Sequence, residues 1–559
     1  MGEEEAISKK EQCELLAKYF EDLAQPKDNV NFNNEKLLNC KKRCKIIKEI
    51  AKASTDTEVT ITKEDIRKAI NQLNTKKAAD EYDLASEHLK HSGESLHEIL
   101  QETFNQILLE EKVPSTFKTG TVSPILKKGK AFYEVENYRG ITVTSVIGKV
   151  FEYIILDKSN LMKSGQSPLQ FGFTQGLSPN MAALILSEAC SEITGKQTIF
   201  VTTLDSQKAF DVVSHVILMD RLYHYGLNLN LWNIIEELYS GVTSTVKWKG
   251  ETSTSFEIHQ GVRQGGVLST HLYKAYINEL GSHIGNNYVG CPTCADDIVL
   301  LSLNREEMQE MLNIVDNYSK DHRFNIHPQK SNVIIKTGNK RKDPEDSDAF
   351  KMGNNDLNCT DRTTHLGLTR STKDETRINV DDRISLARRT LYSLIKTGVH
   401  GSNGLNPKTS YRIYQAYVLP RLLYGLETLH VNSKEMSLLS SFHLDTLRKL
   451  QSLPKRTACA SVYLLLGALP LIAEIHKRQL SLLFGVLNSD NETIRSLAMR
   501  QYMSGRSTSF FTKTAEILEM YNLPFFLELC EKKYSKIEWK KRTKSAINGH
   551  WTNKTTPRM

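Results

Sequence analysis

Two adjacent carboxylates mark the stretch of this sequence that is best suited to metal chemistry. Asp296 and Asp297 directly precede an apolar run, Ile298 to Leu301. Pro292, a residue typical of turns, lies in the segment before them. This pattern predicts a β-hairpin with the acidic pair at or near its turn. Carboxylates between apolar strands are costly to desolvate unless a cation neutralises them, and Mg²⁺ takes such oxygen ligands. On these residues alone, a solvated turn without a metal remains the alternative.

A third carboxylate ends a predicted buried strand. Residues 198–205 begin with β-branched and aromatic side chains and end on Asp205, which favours a buried strand. We expect this carboxylate to be placed to share a metal with Asp296. A glycine-rich turn with an Arg-Gln pair follows at residues 261–269, and paired glycines let backbone approach a ligand closely.

These blocks resemble the catalytic-palm motifs of reverse transcriptases. Their residues are most similar to those of the non-LTR (LINE-type) retrotransposon group. The matching blocks are LDSQKAFD, RQGGVLS and CADD, joined by ENYRGITVTSVIGKVFEYII, QFGF and THLGL. They occur in the family's order, which is far more specific than any one block. Together they extend over roughly half of the chain.

The resemblance implies an α+β, right-hand polymerase fold with fingers, palm and thumb and with helical flanking regions. It suggests four parts: a helical N-terminal region at 1–115, fingers and palm at 116–370, a helical thumb at 371–470, and a basic helical region at 471–559.

The resemblance also implies RNA-directed DNA polymerase activity, which adds deoxynucleotides to a primer 3′-hydroxyl. The implied partners are an RNA template, a DNA primer or target DNA, and deoxynucleoside triphosphates. Asp205 and Asp296 would hold two Mg²⁺ ions roughly 3.5–4 Å apart, with Mn²⁺ as the alternative metal. Asp297 is the third catalytic and metal-binding candidate and the weaker ligand, because adjacent strand residues point to opposite faces.

The residues that the resemblance assigns to the incoming nucleotide are Lys128, Arg139, Ser206, Gln207, Phe210, Gln264 and Gly265. Arg139 offers a planar donor fork suited to phosphate oxygens, and its alternative role is a surface salt bridge. An aromatic at the position of Phe210 packs under the nucleotide sugar in this family and excludes a 2′-hydroxyl. The alternative is that Phe210 anchors the strand-to-helix turn in the core.

Several positions depart from the family pattern. Gly140 and Thr270 stand where the family usually has proline, Thr174 where it has a basic residue, and Cys294 where it has Tyr or Phe. These departures favour a second hypothesis, a degenerate or domesticated reverse transcriptase-like protein that binds nucleic acid without catalysis. The three intact aspartates argue against it. An unrelated Mg²⁺ nuclease would require the ordered motifs to be coincidence.

Composition adds weaker indications. The 559 residues carry a formal net charge of +8, which fits a nucleic-acid partner. The segment 532–544 interleaves basic residues with Tyr534 and Trp539, a composition suited to single-stranded nucleic acid. The segment 339–348 is charged and predicted to be a mobile insertion. No apolar run approaches the roughly 20 residues of a membrane span, and no signal peptide is evident. These features predict an intracellular protein, nuclear and cytoplasmic, without a membrane partner.

Overall fold

The protein is described here from a computed structural model that covers residues 8–53, 59–161, 165–283, 291–338, 349–400, 403–532 and 534–555. The predicted insertion at 339–348 lies outside these residues. The described strands are β1 Thr119–Leu126, β2 Tyr138–Thr144, β3 Thr198–Asp205, β4 Val242–Trp248, β5 Glu251–Thr252, β6 Phe256–Ile258, β7 Thr293–Cys294, β8 Asp297–Ser302, β9 Asn332–Thr337, β10 Phe350–Met352, β11 Asn355–Leu357, β12 Arg362–His365 and β13 Leu368–Ser371.

Helices account for most of the remaining chain. They are α1 Lys9–Ala24, α2 Asn34–Ala53, α3 Lys63–Gln72, α4 Ser86–Lys90, α5 Glu94–Glu110, α6 Ser115–Lys118, α7 Val146–Ser159, α8 Pro179–Glu192, α9 His215–His224, α10 Leu229–Leu238, α11 Ser269–His283, α12 Arg305–Asp321, α13 Glu375–Ile395, α14 Pro407–Ile413, α15 Leu419–Leu423, α16 Ser433–Leu450, α17 Cys459–Leu466, α18 Leu471–Leu487, α19 Glu492–Ser504, α20 Phe510–Met520, α21 Phe526–Glu531 and α22 Lys536–Thr555. In the described part of the chain no single helix has the length and apolar character to cross a membrane, although α17 and α18 taken together, with a bend of 58° between them, reach that length and composition.

The chain forms two compact units, each assembled from separate chain segments. The first comprises residues 1–167, 205–284 and 312–327, and the second comprises 168–204, 285–311 and 328–559. The predicted four-part division remains a prediction.

The sheet of the first unit is built on β1, which pairs antiparallel with β2 and parallel with β4. Helix α1 packs its buried face, which includes Leu16 and Phe20, against Val122 and Phe256 of this sheet. A Cβ at position 140 would lie 2.8 Å from a Phe20 ring carbon and 2.9 Å from Val122. Glycine in place of the family's proline therefore makes room for a ring from the N-terminal helix.

The sheet of the second unit has the order β7-β8-β3-β9. Strand β3 pairs antiparallel with β9 from Thr198 opposite Thr337 to Thr203 opposite Asn332. Buried aliphatic side chains of three of these strands, including Val201, Val299 and Ile334, form one core with α8. Because β3 is covered in this way, the predicted buried strand at 198–205 is confirmed.

Aromatic side chains in the helical part of the second unit differ in exposure. Tyr411 and Tyr414 are buried, whereas Tyr417 is exposed. The prediction that Tyr534 and Trp539 are available to single-stranded nucleic acid is wrong, because both are buried. The Trp539 indole N–H donates to the Leu480 carbonyl at 3.2 Å. The period of α22 places this ring in the core while its basic neighbours stay in water.

Candidate active site

The acidic pair lies at a tight hairpin turn, as predicted. Cys294 pairs with Asp297 and Thr293 with Ile298 across β7 and β8, so Ala295 and Asp296 form a two-residue turn. Ala295 adopts φ +61°, the left-handed conformation that such hairpin turns require. Both aspartates are exposed, whereas the run that starts at Ile298 is buried. The two carboxylates are therefore accessible from solvent on a rigidly anchored hairpin.

The QFGF segment holds this hairpin in place. The side-chain oxygen of Gln170 accepts the backbone N–H groups of Ala295 at 3.2 Å and of Gly172 at 2.9 Å. The Phe171 N–H donates to the Thr293 carbonyl at 2.8 Å, and the Thr293 N–H donates to the Leu169 carbonyl at 2.9 Å. These bonds fix the turn that carries Asp296 from the side of the preceding chain segment.

Gly172 is in direct contact with that turn. A Cβ at position 172 would lie 2.2 Å from the Ala295 backbone nitrogen and 2.8 Å from its Cα. Ordinary contacts of a Cβ are 3.4–4 Å, so only glycine fits here without a backbone shift. The sequence motif was recognised, but this contact with the acidic turn was not predicted.

Asp205 is the last residue of β3, as predicted, and β3 is the sheet neighbour of β8. The Asp205 carbonyl accepts the His327 N–H at 2.8 Å, which fixes the backbone where the strand ends. Asp205 is partly buried. The three predicted catalytic aspartates are thus carried by two neighbouring strands and the turn before one of them.

The predicted carboxylates are suited to a magnesium site whose remaining ligands come from water and substrate phosphates. In the described part of the chain, no group of three or more His, Cys, Asp or Glu side chains is arranged to hold a metal ion by itself. Mg²⁺ in polymerase-type sites is usually held by one or two carboxylates together with waters and substrate phosphates. Asp205 of the first unit and Asp296 of the second each supply a carboxylate, which is the ligand type that such sites use.

Phe210 lies in the first unit, packed against the helix that follows the glycine-rich turn. Its ring stacks on Tyr273 with 4.6 Å between ring centroids and 17° between planes. Its carbonyl accepts the Val262 N–H at 2.8 Å. Tyr273 is buried, whereas Phe210 keeps intermediate exposure. The ring is therefore held on one face and retains accessible surface, which is compatible with a sugar-contacting role.

The arginine of the glycine-rich turn serves the fold. Arg263 is buried, donates to the Phe117 carbonyl at 2.8 Å and pairs with Glu152 at 3.3 Å. The other oxygen of Glu152 accepts the Leu268 N–H at 3.0 Å near the start of α11. This buried pair fixes the turn and leaves Gln264 as its partly exposed polar side chain.

Gln264 and Gly265 are held by residues of two other segments. The Gln264 side-chain amide donates to the Asp211 carboxylate at 2.9 Å, and the Thr142 N–H donates to the Gln264 carbonyl at 2.9 Å. A Cβ on Gly265, which has φ +143°, would lie 2.2 Å from the Thr142 carbonyl oxygen. Burial raises the pKa of Asp211, and the Gln264 hydrogen bond opposes that rise. Sequence reasoning missed Asp211, although it directly follows Phe210 in the quoted motif.

Of the remaining residues predicted to contact the nucleotide, two have exposed side chains and two are bonded to other parts of the fold. Lys128 and Arg139 are exposed on the connection and strand that follow β1. Ser206 is buried and forms an isolated bridge with Ile326. The Gln207 N–H donates to the Asn325 carbonyl at 2.8 Å, so this amide is already used within the fold.

The THLGL segment forms the turn of the hairpin β12–β13, and a buried charge network anchors it. Arg370 of β13 bonds Glu375 at 2.9 Å and the Ser187 hydroxyl at 3.0 Å, and Lys336 of β9 bonds the same Glu375. Burial opposes ionisation of Glu375, but Lys336 and Arg370 outweigh it and lower its pKa to about 2. His365, where the family usually has Tyr, is buried, and burial lowers its pKa to about 3.

Comparisons with known proteins find similarity to reverse transcriptases. A family model described as reverse transcriptase (RNA-dependent DNA polymerase) matches residues 125–369. The RNA-directed DNA polymerase from mobile element jockey of Drosophila melanogaster is 25% identical over 413 residues, covering 70% of this chain and 43% of that protein. A Pol polyprotein from the type-1 retrotransposable element R2 of Popillia japonica is 24% identical, covering 59% of this chain and 47% of that protein. The chain thus spans less than half the length of these relatives.

The predicted α+β, right-hand polymerase fold is confirmed by this family match together with the mixed sheets and helices described above. A solved structure of apo telomerase from Candida tropicalis, truncated from its C-terminal domain, is similar at 14% identity and a TM-score of 0.32. That similarity covers 49% of this chain and 60% of the telomerase chain, and it is too distant to add to the assignment.

Proposed function

We propose that this chain is an RNA-directed DNA polymerase of the non-LTR (LINE-type) retrotransposon group that works by two-metal catalysis, a proposal supported by its similarity to the reverse transcriptase family model and to the jockey and R2 proteins. The observation that carries the proposal is the exposed Asp296–Asp297 turn on the strand that neighbours β3, which ends at Asp205. Its substrates are an RNA template, a DNA primer or target DNA, and deoxynucleoside triphosphates.

Asp205 and Asp296 would bind Mg²⁺, or Mn²⁺ in its place, with Asp297 as the additional carboxylate. When bound, two such ions neutralise charge on the transferring phosphoryl group and lower the pKa of the attacking hydroxyl. The protein itself supplies positioning, since phosphoryl transfer needs no protein nucleophile. Gln170 and Gly172 provide that positioning for Asp296 through the Ala295 backbone.

The incoming nucleotide would be selected and bound by residues of the first unit. Phe210, whose ring is fixed by Tyr273, would close the space beside C2′ of the sugar and so favour deoxynucleotides. Gln264 and Gly265 would face the nucleotide with backbone that Thr142 holds in place. The exposed cations of Lys128 and Arg139 would contact the triphosphate, where the planar guanidinium suits paired oxygens. Backbone around Ser206 and Gln207 would meet the triphosphate beside these two cations.

Primer extension by the purified chain on an RNA template tests the proposal. We expect Mg²⁺-dependent extension by the wild type and none by Asp205→Asn or Asp296→Asn, because asparagine keeps the shape but removes the charge that a metal requires. Asp490→Asn changes an exposed aspartate elsewhere and serves as the matched control, with unchanged extension.

Two outcomes would contradict this proposal in different ways. Wild-type extension by either active-site variant would refute the metal role of that residue. A wild type that binds primer–template but extends nothing with Mg²⁺ or Mn²⁺ would favour the degenerate, nucleic-acid-binding alternative.

A further inference from the structure

An aromatic pair on the connection between β1 and β2 is exposed beside a lysine cluster. Phe132 and Tyr133 show 74% and 75% of their surface to solvent. Their ring centroids lie 5.7 Å apart at 76°. Lys127, Lys128 and Lys130 precede them and are exposed as well. Large aromatic side chains left in water beside cations need a reason, because burying them elsewhere would stabilise the fold.

The backbone under these rings is fixed. The Tyr138 hydroxyl donates to the Phe132 carbonyl at 2.8 Å, and the side-chain amide of the buried Asn137 donates to the Ala131 carbonyl at 3.0 Å. The Lys130 N–H donates to the Lys127 carbonyl at 3.2 Å in a turn with Gly129 at φ +76°. The loop therefore presents its rings with little conformational entropy left to lose on binding, which favours affinity.

The loop carries a small positive net charge, with three lysines against two glutamates. Both glutamates are exposed, and Glu134 accepts an internal hydrogen bond from Asn137 at 2.6 Å. Lys127 at the base of the loop is close enough to Lys208 and Asp211 to act on both electrostatically. Lys127 thus links this loop to the segment of the first unit that carries Phe210, which is proposed above to contact the nucleotide.

We propose that Phe132 and Tyr133, with the adjacent lysines, form a stacking platform for the unpaired bases of a single-stranded RNA. A positively charged path with aromatic rings is how proteins bind single strands without sequence preference, since every base has a π-face. This proposal rests on the proposed function in one respect: the RNA strand is then the template that has not yet been copied. Tyr534 and Trp539, which also stand among basic residues, are buried and do not offer such a platform.

Direct binding tests the proposal independently of catalysis. The probe is a fluorescein-labelled 12-nucleotide oligouridylate, titrated with the full chain at fixed salt and read by anisotropy. Phe132→Leu and Tyr133→Leu keep apolar bulk but remove the ring, and we expect each to weaken binding at least about fivefold, the low end of base–aromatic stacking. Phe132→Trp should restore wild-type affinity. Phe525→Leu, which changes a ring that is 70% exposed elsewhere, is the matched control and should change nothing.

Three further binding measurements identify which part of the nucleic acid the loop recognises. An abasic strand of equal length should bind equally to wild type and ring variants, because it offers phosphates but no bases. A blunt duplex should also show no dependence on the rings. Lys130→Gln should reduce the slope of log affinity against log salt by about 0.7, the contribution of one phosphate contact on a single strand, whereas the ring variants should leave that slope unchanged.

The outcomes that overturn the proposal are specific. Unchanged oligouridylate affinity in both leucine variants, or an equal loss on the abasic strand, would refute base stacking. Tighter ring-dependent binding of oligothymidylate than of oligouridylate would refute the assignment to RNA, and ring-dependent capture of a purified protein in place of either strand would assign the surface to a protein partner. The rings are exposed, so circular-dichroism melting should match the wild type. A failure of primer extension alone would count against the polymerase function and leave this result standing.

Discussion

Replacing Gly172 by alanine should impair catalysis more than it impairs stability. The added Cβ would lie 2.2 Å from the Ala295 nitrogen, where ordinary contact begins at 3.4 Å, so the two segments must separate by about 3.4 − 2.2 = 1.2 Å. The two nearest atoms, the nitrogen and Cα of Ala295, belong to the backbone. The added Cβ of residue 172 has no rotatable bond that could move it away from them. Overpacking of this kind costs about 1–3 kcal/mol, whereas displacing a reacting group by about 1 Å can cost about 100-fold in rate.

The assay is single-turnover primer extension, measured beside thermal unfolding and primer–template affinity. We expect Gly172→Ala to remain folded, to bind duplex normally and to extend about 100-fold more slowly. Gly549→Ala is the matched control, because no atom lies within 4 Å of the corresponding Cβ and alanine stabilises a helix interior. An extension rate within about threefold of wild type, in a folded Gly172→Ala protein, would refute the view that this contact positions Asp296.

Three other predictions follow from contacts already described. Phe210→Val should raise ribonucleotide incorporation relative to deoxynucleotide in steady-state extension, while the lost stack on Tyr273 costs only about 0.5–1.5 kcal/mol; an unchanged ratio in a folded, active variant would favour the core-anchor alternative. Primer–template affinity should fall steeply with salt and persist when the sequence changes, and a salt-independent affinity would contradict this. Because the pKa of Glu375 is lowered from 4.5 to about 2, its ionised form stabilises the native state by roughly 3 kcal/mol above pH 4.5, and this is lost as the pH falls toward 2. The difference in urea unfolding free energy between wild type and Glu375→Gln should therefore shrink from pH 7 to pH 3, and a difference that stays constant would exclude this charge network as its cause.

Local signals in the sequence were sufficient for individual elements. The Thr-x-x-Asp pattern at the start of α3 is typical of a capping box, and this box forms, with the Asp65 N–H donating to the Thr62 hydroxyl at 3.3 Å. The acidic hairpin and the strand ending at Asp205 also form where their patterns place them. These features depend on residues within a few positions of one another, so period, turn chemistry and capping are enough to specify them.

Contacts between distant segments could not be inferred in the same way. Nothing near Gly140 indicates that Phe20 fills the adjacent space, and nothing near Gly172 identifies the Ala295 backbone as its neighbour. Trp539 shows why composition misleads: an aromatic among lysines suggested a nucleic-acid surface, yet the helical period buries that ring. The candidate site was predicted as a set of residues, and the structure adds what positions them.

The contact between Phe20 and Gly140 limits where a recombinant fragment of this protein can begin. The family match begins at residue 125, yet Cys13, Leu16, Ala17 and Phe20 of α1 share one core with Val122 and Val246. A recombinant fragment limited to 125–369 would lack β1 up to Pro124 and would leave an apolar face of β4 in water. Such fragments aggregate readily, because an unpaired strand edge beside exposed apolar surface invites association. The residues that share this core therefore extend beyond the residues of the family match, and we expect a productive expression boundary to lie before Lys9.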